Sequence, residues 1–252
     1  MTIVILTALG VGGATAVGAL IGFLFKNPSH KLNDAILSFA AGIMLAAAVI
    51  GLILPSLDFS GNLSVLVTVL GVLCGALCID LIDKLVPHLH RLSGNELEPH
   101  PEKSAELNKT LLFIIAIAIH NLPEGIAAGV SFGSGNTTHA LTVAGGIALQ
   151  NIPEGMIIIA PMIVAGLSKK KALLIALGTG LIEVIGTFLG YFAVSISSAI
   201  LPFALAFAGG TMLYVISDEM IPETHSHGNE KIATFALIIG FAVMLVFDFF
   251  LG

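Results

Sequence analysis

Two stretches decide how this chain is read: LLFIIAIAIHNLPEGIAAGVSF (residues 111–132) and LQNIPEGMIII (residues 149–159). Both are apolar enough to lie in lipid, yet both carry a short polar block. The first holds His120, Asn121, Pro123 and Glu124; the second holds Gln150, Asn151, Pro153 and Glu154. On a helix, His120 and Glu124 stand at i and i+4, as do Gln150 and Glu154, so each pair shares a face. Asn121 and Asn151 stand three residues before the same glutamates. Pro123 and Pro153 cannot donate to the carbonyls of Ile119 and Leu149, so each bends its helix and frees an oxygen one turn back. Gly125 and Gly155 permit close approach of another backbone.

The rest of the chain shares the apolar character. Of 252 residues, 56% are hydrophobic and only 10% charged, where soluble domains carry about 25%, and mean hydropathy is +1.03. This composition excludes a soluble globular protein, and the net charge of -6 says little about nucleic acid. A spanning helix needs about 20 apolar residues. Eight segments qualify, roughly 3–25, 35–57, 63–82, 110–132, 139–165, 171–194, 199–218 and 231–251. The expected fold class is all-α, a polytopic membrane protein of eight transmembrane helices. It is expected to form a single transmembrane domain over 1–252, with one long polar loop at about 84–109. No basic residue precedes Lys26, so the first span reads as retained rather than as a cleaved signal. Cys74 and Cys78, four apart in the third span, read as small packing residues.

With eight spans, all ten basic residues fall on one side: Lys26, Lys31, Lys84, Arg91, Lys103, Lys109, Lys169, Lys170, Lys171 and Lys231. The positive-inside rule then places those loops in the cytoplasm and both termini outside. FAAGIML (39–45) resembles FAGGTML (207–213), and each is followed by a proline, Pro55 and Pro222. These segments lie on spans of opposite direction, as do the two proline blocks. That pattern is the mark of inverted repeats, with a substrate site between them; small residues repeated for helix packing are the alternative.

Three acids, Glu124, Glu154 and Glu183, lie near mid-span, and no lysine or arginine lies at that depth. An ionised side chain at the bilayer centre costs about 2.5–3.5 kcal/mol on insertion scales, so three unpaired acids would cost about 8–10 kcal/mol. They must be protonated, face water or share a bound cation. Imidazole, carboxylate and amide donors suit borderline divalent ions such as Zn²⁺, Fe²⁺, Mn²⁺ or Co²⁺. Matching faces on antiparallel helices allow two adjacent ion positions bridged by glutamates. Met44 reads from composition alone as core. Nearer the span ends, Asp58 and Asp248 are candidate entry residues. Asp218, Glu219, Glu223, His225 and His227, in SDEMIPETHSHG (217–228), are candidates for an exit relay. Asp34, Asp80 and Asp83 read as boundary residues, and His88, His90 and His100 as loop residues within reach of released metal.

The paired blocks HNLPEG and QNIPEG, with Glu183 in the next span, resemble those of the ZIP (Zrt/Irt-like) metal transporters, specifically the GufA-like branch. The resemblance covers the whole chain. It implies import of divalent metals, zinc first, with iron, manganese, cobalt and cadmium as further candidates. It implies a binuclear site between the fourth and fifth spans, alternating access, and an elevator-like motion of one helix bundle against another. Carried over, His120, Glu124, Gln150, Glu154 and Met44 form the first metal position. Asn121, Asn151 and Glu183 form the second, bridged by Glu124 and Glu154. Some members have an aspartate where this chain has Asn151, which lowers the charge of the second position. The expected partners are divalent ions and the lipid bilayer, with a homodimer left open and no nucleic acid. No prosthetic group and no catalytic residue are expected. The compact loops favour a bacterial inner membrane. Two rivals are an intramembrane metal-dependent hydrolase, against which the HExxH pattern is missing, and a proton-coupled exporter.

Overall fold

A computed structural model describes residues 1–25, 28–58, 63–85 and 102–251. Within them run eight long helices: α1 Thr2–Gly22, α2 His30–Asp58, α3 Ser64–Leu85, α4 Glu102–Ser131, α5 Thr137–Val164, α6 Lys169–Ile196, α7 Ser198–Thr224 and α8 Glu230–Leu251. Seven are apolar and long enough to cross a membrane throughout. The eighth, α4, begins two turns before its apolar part because EKSAELNKT is rich in good helix formers. The protein is therefore a polytopic membrane helix bundle. His88, His90, Arg91 and His100 lie outside the described residues.

Helix ends follow local chemistry. The Ser29 and Ser168 hydroxyls cap α2 and α6 by accepting from Leu32 N and Lys171 N. Asn136 caps α5, its Oδ1 accepting from His139 N at 3.1 Å. Gly135, just before that cap, takes φ 75°, a left-handed turn that Gly adopts without cost.

Both helices bearing the FAxGxML segments widen into π-helix just after it, at Ala47–Ile53 in α2 and Ile216–Met220 in α7. Pro55 and Pro222 follow. A proline ring clashes with the carbonyl four residues back, and a wider turn relieves that clash. The two π segments thus repeat a backbone feature in both halves. They also explain why α7 runs on to Thr224 rather than ending at 218: the acidic stretch stays helical because the π turn absorbs the proline.

Glycine contacts divide the eight helices into two groups. In α1, Gly12 abuts Gly180 of α6, while Gly18 and Gly22 abut Ile152 and Met156 of α5. Gly125 and Gly129 of α4 lie on the Glu183 and Thr187 carbonyls of α6, where a Cβ would overlap them. Helices α1, α4, α5 and α6 therefore form one bundle. In the other, Gly42 and Gly240 join α2 to α8, and Gly71, Gly75 and Gly210 join α3 to α7. Successive contacts advance together along α3 and α7, and along α4 and α6, so each pair runs parallel, as alternating spans require. Among the described glycines, every backbone-on-backbone approach stays within one bundle. Those facing the other bundle meet side chains: Gly51 meets Val143, Gly145 meets Phe247 and Gly146 meets Met244.

Candidate metal centre

The tight α1–α5, α1–α6 and α4–α6 contacts bring three mid-span polar blocks together. Glu183, fully buried on α6, is the hub. Its Oε1 accepts from Asn121 Nδ2 of α4 at 2.8 Å and from Thr15 Oγ1 of α1 at 2.8 Å. Its Oε2 accepts from Asn151 Nδ2 of α5, which also donates to the Val11 carbonyl at 3.2 Å. Glu124, 1% exposed, accepts from Gln150 Nε2 at 2.8 Å through Oε1. Glu154 lies within Coulombic reach of Glu124, Glu183 and His120. The two proline blocks and the sixth-span acid therefore share one buried cluster.

In this network each amide nitrogen donates to a carboxylate. The acceptors left over are Asn121 Oδ1, Glu124 Oε2, Gln150 Oε1 and Asn151 Oδ1, all buried without a hydrogen-bond partner. Buried polar atoms are nearly always paired, and leaving one unpaired costs about 1–3 kcal/mol. Four unpaired acceptors in one cluster, beside carboxylates and in spans whose middle carries no lysine or arginine, match the need of a hard or borderline cation for oxygen ligands. As the side chains stand, no three His, Cys, Asp or Glu among the described residues are gathered closely enough to hold an ion by themselves. The amides stand between the acids, so an oxygen set here is a mixture of amide and carboxylate.

His120 Nε2 lies 2.8 Å from Glu219 Oε1, on the π segment of α7. This bond crosses between the bundles and ties a residue expected at the site to one expected at the exit. Asp218 beside it is exposed. Met44 is 1% exposed, packed in the buried core that includes Ile147 and Ala127, with no hydrogen bond to the acids.

Asp58 is exposed at the end of α2 and Asp248 is half-buried in α8. His139, not among the sequence candidates, lies near the Gly51 backbone and Asp248, and its Nε2 is buried without a hydrogen-bond partner. His225 is held by its own helix, at 2.9 Å from the Ile221 carbonyl, and by Thr234. Asp34, in the first turns of α2, is 2% exposed and takes His227 Nδ1 at 3.0 Å and Asn229 Nδ2 at 2.9 Å, fastening the α7–α8 turn to α2. Asp80 pairs with Lys84 and Tyr214. Cys74 faces outward rather than into the core, and Cys78 is half-buried.

Thr15 and the Val11 carbonyl were not legible as site groups. The one signal was a hydroxyl amid the small-residue face of α1, in GVGGATAVG.

The ZIP zinc transporter family model matches residues 92–248. The zinc transporter GufA of Myxococcus xanthus is 39% identical over 98% of both chains. The chain belongs to the ZIP family. Zinc transporter ZIPB of Bordetella bronchiseptica is also 39% identical, over 95% of this chain and 78% of its own. Human zinc transporter ZIP11 is 30% identical over 95% and 94%. ZIP membership makes the chain a multi-pass membrane transporter of divalent metal, not an enzyme, and zinc is the ion its relatives are named for.

Proposed function

We propose that this ZIP protein imports zinc into the cytoplasm through the cluster of Glu124, Glu154 and Glu183, with His120, Asn121, Gln150, Asn151 and Met44 completing two adjacent ion positions. The observation that carries this reading is the set of four buried, partnerless acceptor oxygens beside those acids. A divalent cation supplies what they lack, and it offsets carboxylate charge that would otherwise cost several kcal/mol at mid-bilayer. The amides turn with it: a half-rotation of Gln150 or Asn121 exchanges the nitrogen now facing a carboxylate for an oxygen facing the ion. The donor set also suits iron, manganese, cobalt and cadmium.

The way the bundles meet supports alternating access. Backbone packing inside each bundle makes it stiff, while side chains on glycine between bundles leave a surface that can slide. All site ligands except Met44 sit on α4, α5 and α6, so the first bundle carries the ion and the second forms the frame. The His120–Glu219 bond supports release toward the end of α7, through Glu219 and Asp218. Asp58, Asp248 and His139 lie toward the other end, as an entry must. The ten-to-none placement of basic residues supports outside termini and basic loops in the cytoplasm, in a bacterial inner membrane.

The test is zinc uptake into proteoliposomes. Glu124→Gln and Glu154→Gln keep shape and remove charge, and both are expected to abolish uptake in protein that still inserts. Uptake at the wild-type rate in either variant would overturn the reading.

A further inference from the structure

A crevice of about 340 Å³ lies on the seam between the two bundles, and none of the acids lines it. Cys78, Ile79 and Ile82 of α3 and Ala208 and Thr211 of α7 form one wall. The other comes from α4, chiefly Ala118, Ile119 and Leu122, one turn from the zinc cluster. The lining is almost wholly apolar. Its one hydroxyl, on Thr211, already donates to the Ala208 carbonyl at 2.6 Å. Water is a poor occupant, since a buried water needs two to four polar partners. The crevice is nevertheless within the size range of ligand pockets, about 300–1,000 Å³, and close-packed interiors rarely leave such space unfilled.

What fills it follows from where it opens. Its rim joins the outer face of α3, where Leu70, Leu73, Leu77 and Leu81 are each about half exposed or more, and Ile115 of α4 is 42% exposed. In a membrane-spanning bundle that face is covered by hydrocarbon, and the crevice continues it inward. The α4 and α7 wall residues are mid-span and those of α3 stand in the last turns of its apolar run, so acyl chain is what the surroundings offer at that depth.

We infer that the seam crevice between α3, α4 and α7 is a binding site for one acyl chain of a bilayer phospholipid. Side chains packed into the seam would lock the bundles together; a chain that can leave fills the space without fixing it. None of the proposed metal ligands lines the crevice, so acyl binding is tested apart from the zinc reading.

The test uses the full chain in liposomes of phosphatidylcholine and phosphatidylglycerol doped with a phospholipid bearing a terminal diazirine on one acyl chain. After irradiation, adducts are mapped by peptide mass spectrometry. Adducts on the inner walls, at Ile119, Leu122, Ala208 or Thr211, are expected beside those on Leu73 and Leu77. Ala118→Phe, and independently Cys78→Phe from the opposite wall, should remove the inner adducts while leaving the outer ones, which report intact insertion. Inner-wall adducts missing from the unaltered protein, or persisting in both filled variants, would overturn the inference.

Discussion

At the scale of single residues, Asn151 is the informative position. Its Nδ2 serves both Glu183 and the Val11 carbonyl, so it braces the cluster as well as leaving an oxygen free. Asn151→Asp removes that donor and sets two carboxylates side by side. Without metal the variant should lose about 1–3 kcal/mol of stability, the cost of stranding a buried acceptor. With zinc it should gain more than the parent, because the added charge favours a cation. Thermal unfolding with chelator and with zinc checks both signs; a zinc-induced rise in Tm no larger than the parent's would reject the assignment. Met44 is tested by Met44→Leu, a volume-conserving swap costing under about 1.5 kcal/mol. If its sulfur ligates, cadmium affinity should fall more than manganese affinity, since cadmium is the softer ion. Falls of equal size for the two ions, or none, read by isothermal titration, would return Met44 to the core.

At the scale of helices, the glycine faces set the geometry of the cluster. Gly125 rests on the Glu183 carbonyl, so Gly125→Ala must push α4 off α6 just where Asn121 and Glu183 meet. A loss of about 1–3 kcal/mol, the usual cost of overpacking, is expected with impaired uptake. Gly13→Ala meets open space and should change neither. Equal effects from the two substitutions would show that α4–α6 contact does not govern the site. Much of this level was legible in the chain: the long apolar runs gave eight spans, and acids without a basic partner at mid-depth pointed to the cluster. What was not legible has a physical cause. The π segments depend on how Pro55 and Pro222 are absorbed by neighbours, and hydropathy does not register that. Thr15 enters only because Gly12 and Gly18 let α1 settle against α5 and α6. Asp34 reads as a boundary residue in sequence because its partners, His227 and Asn229, lie far along the chain.

At the scale of the whole molecule, the claim is that two stiff bundles slide across a side-chain seam. A Cβ at Gly51 would stand 3.9 Å from that of Val143, on opposite bundles, close to the usual disulfide spacing of about 3.8 Å. In a background lacking Cys74 and Cys78, Gly51→Cys with Val143→Cys should form a bond under oxidation that stops zinc uptake and releases it on reduction. Undiminished uptake by the fully oxidised protein would show that these helices need not part. The fold and the elevator reading meet at the cluster itself, where one experiment is most direct. Crystals of the zinc-loaded protein should give anomalous density at the zinc edge within the cluster of Glu124, Glu154 and Glu183, with the Gln150 and Asn121 amides turned to present oxygen. Density found only elsewhere, with those carboxylates still held by amide nitrogens alone, would contradict the account.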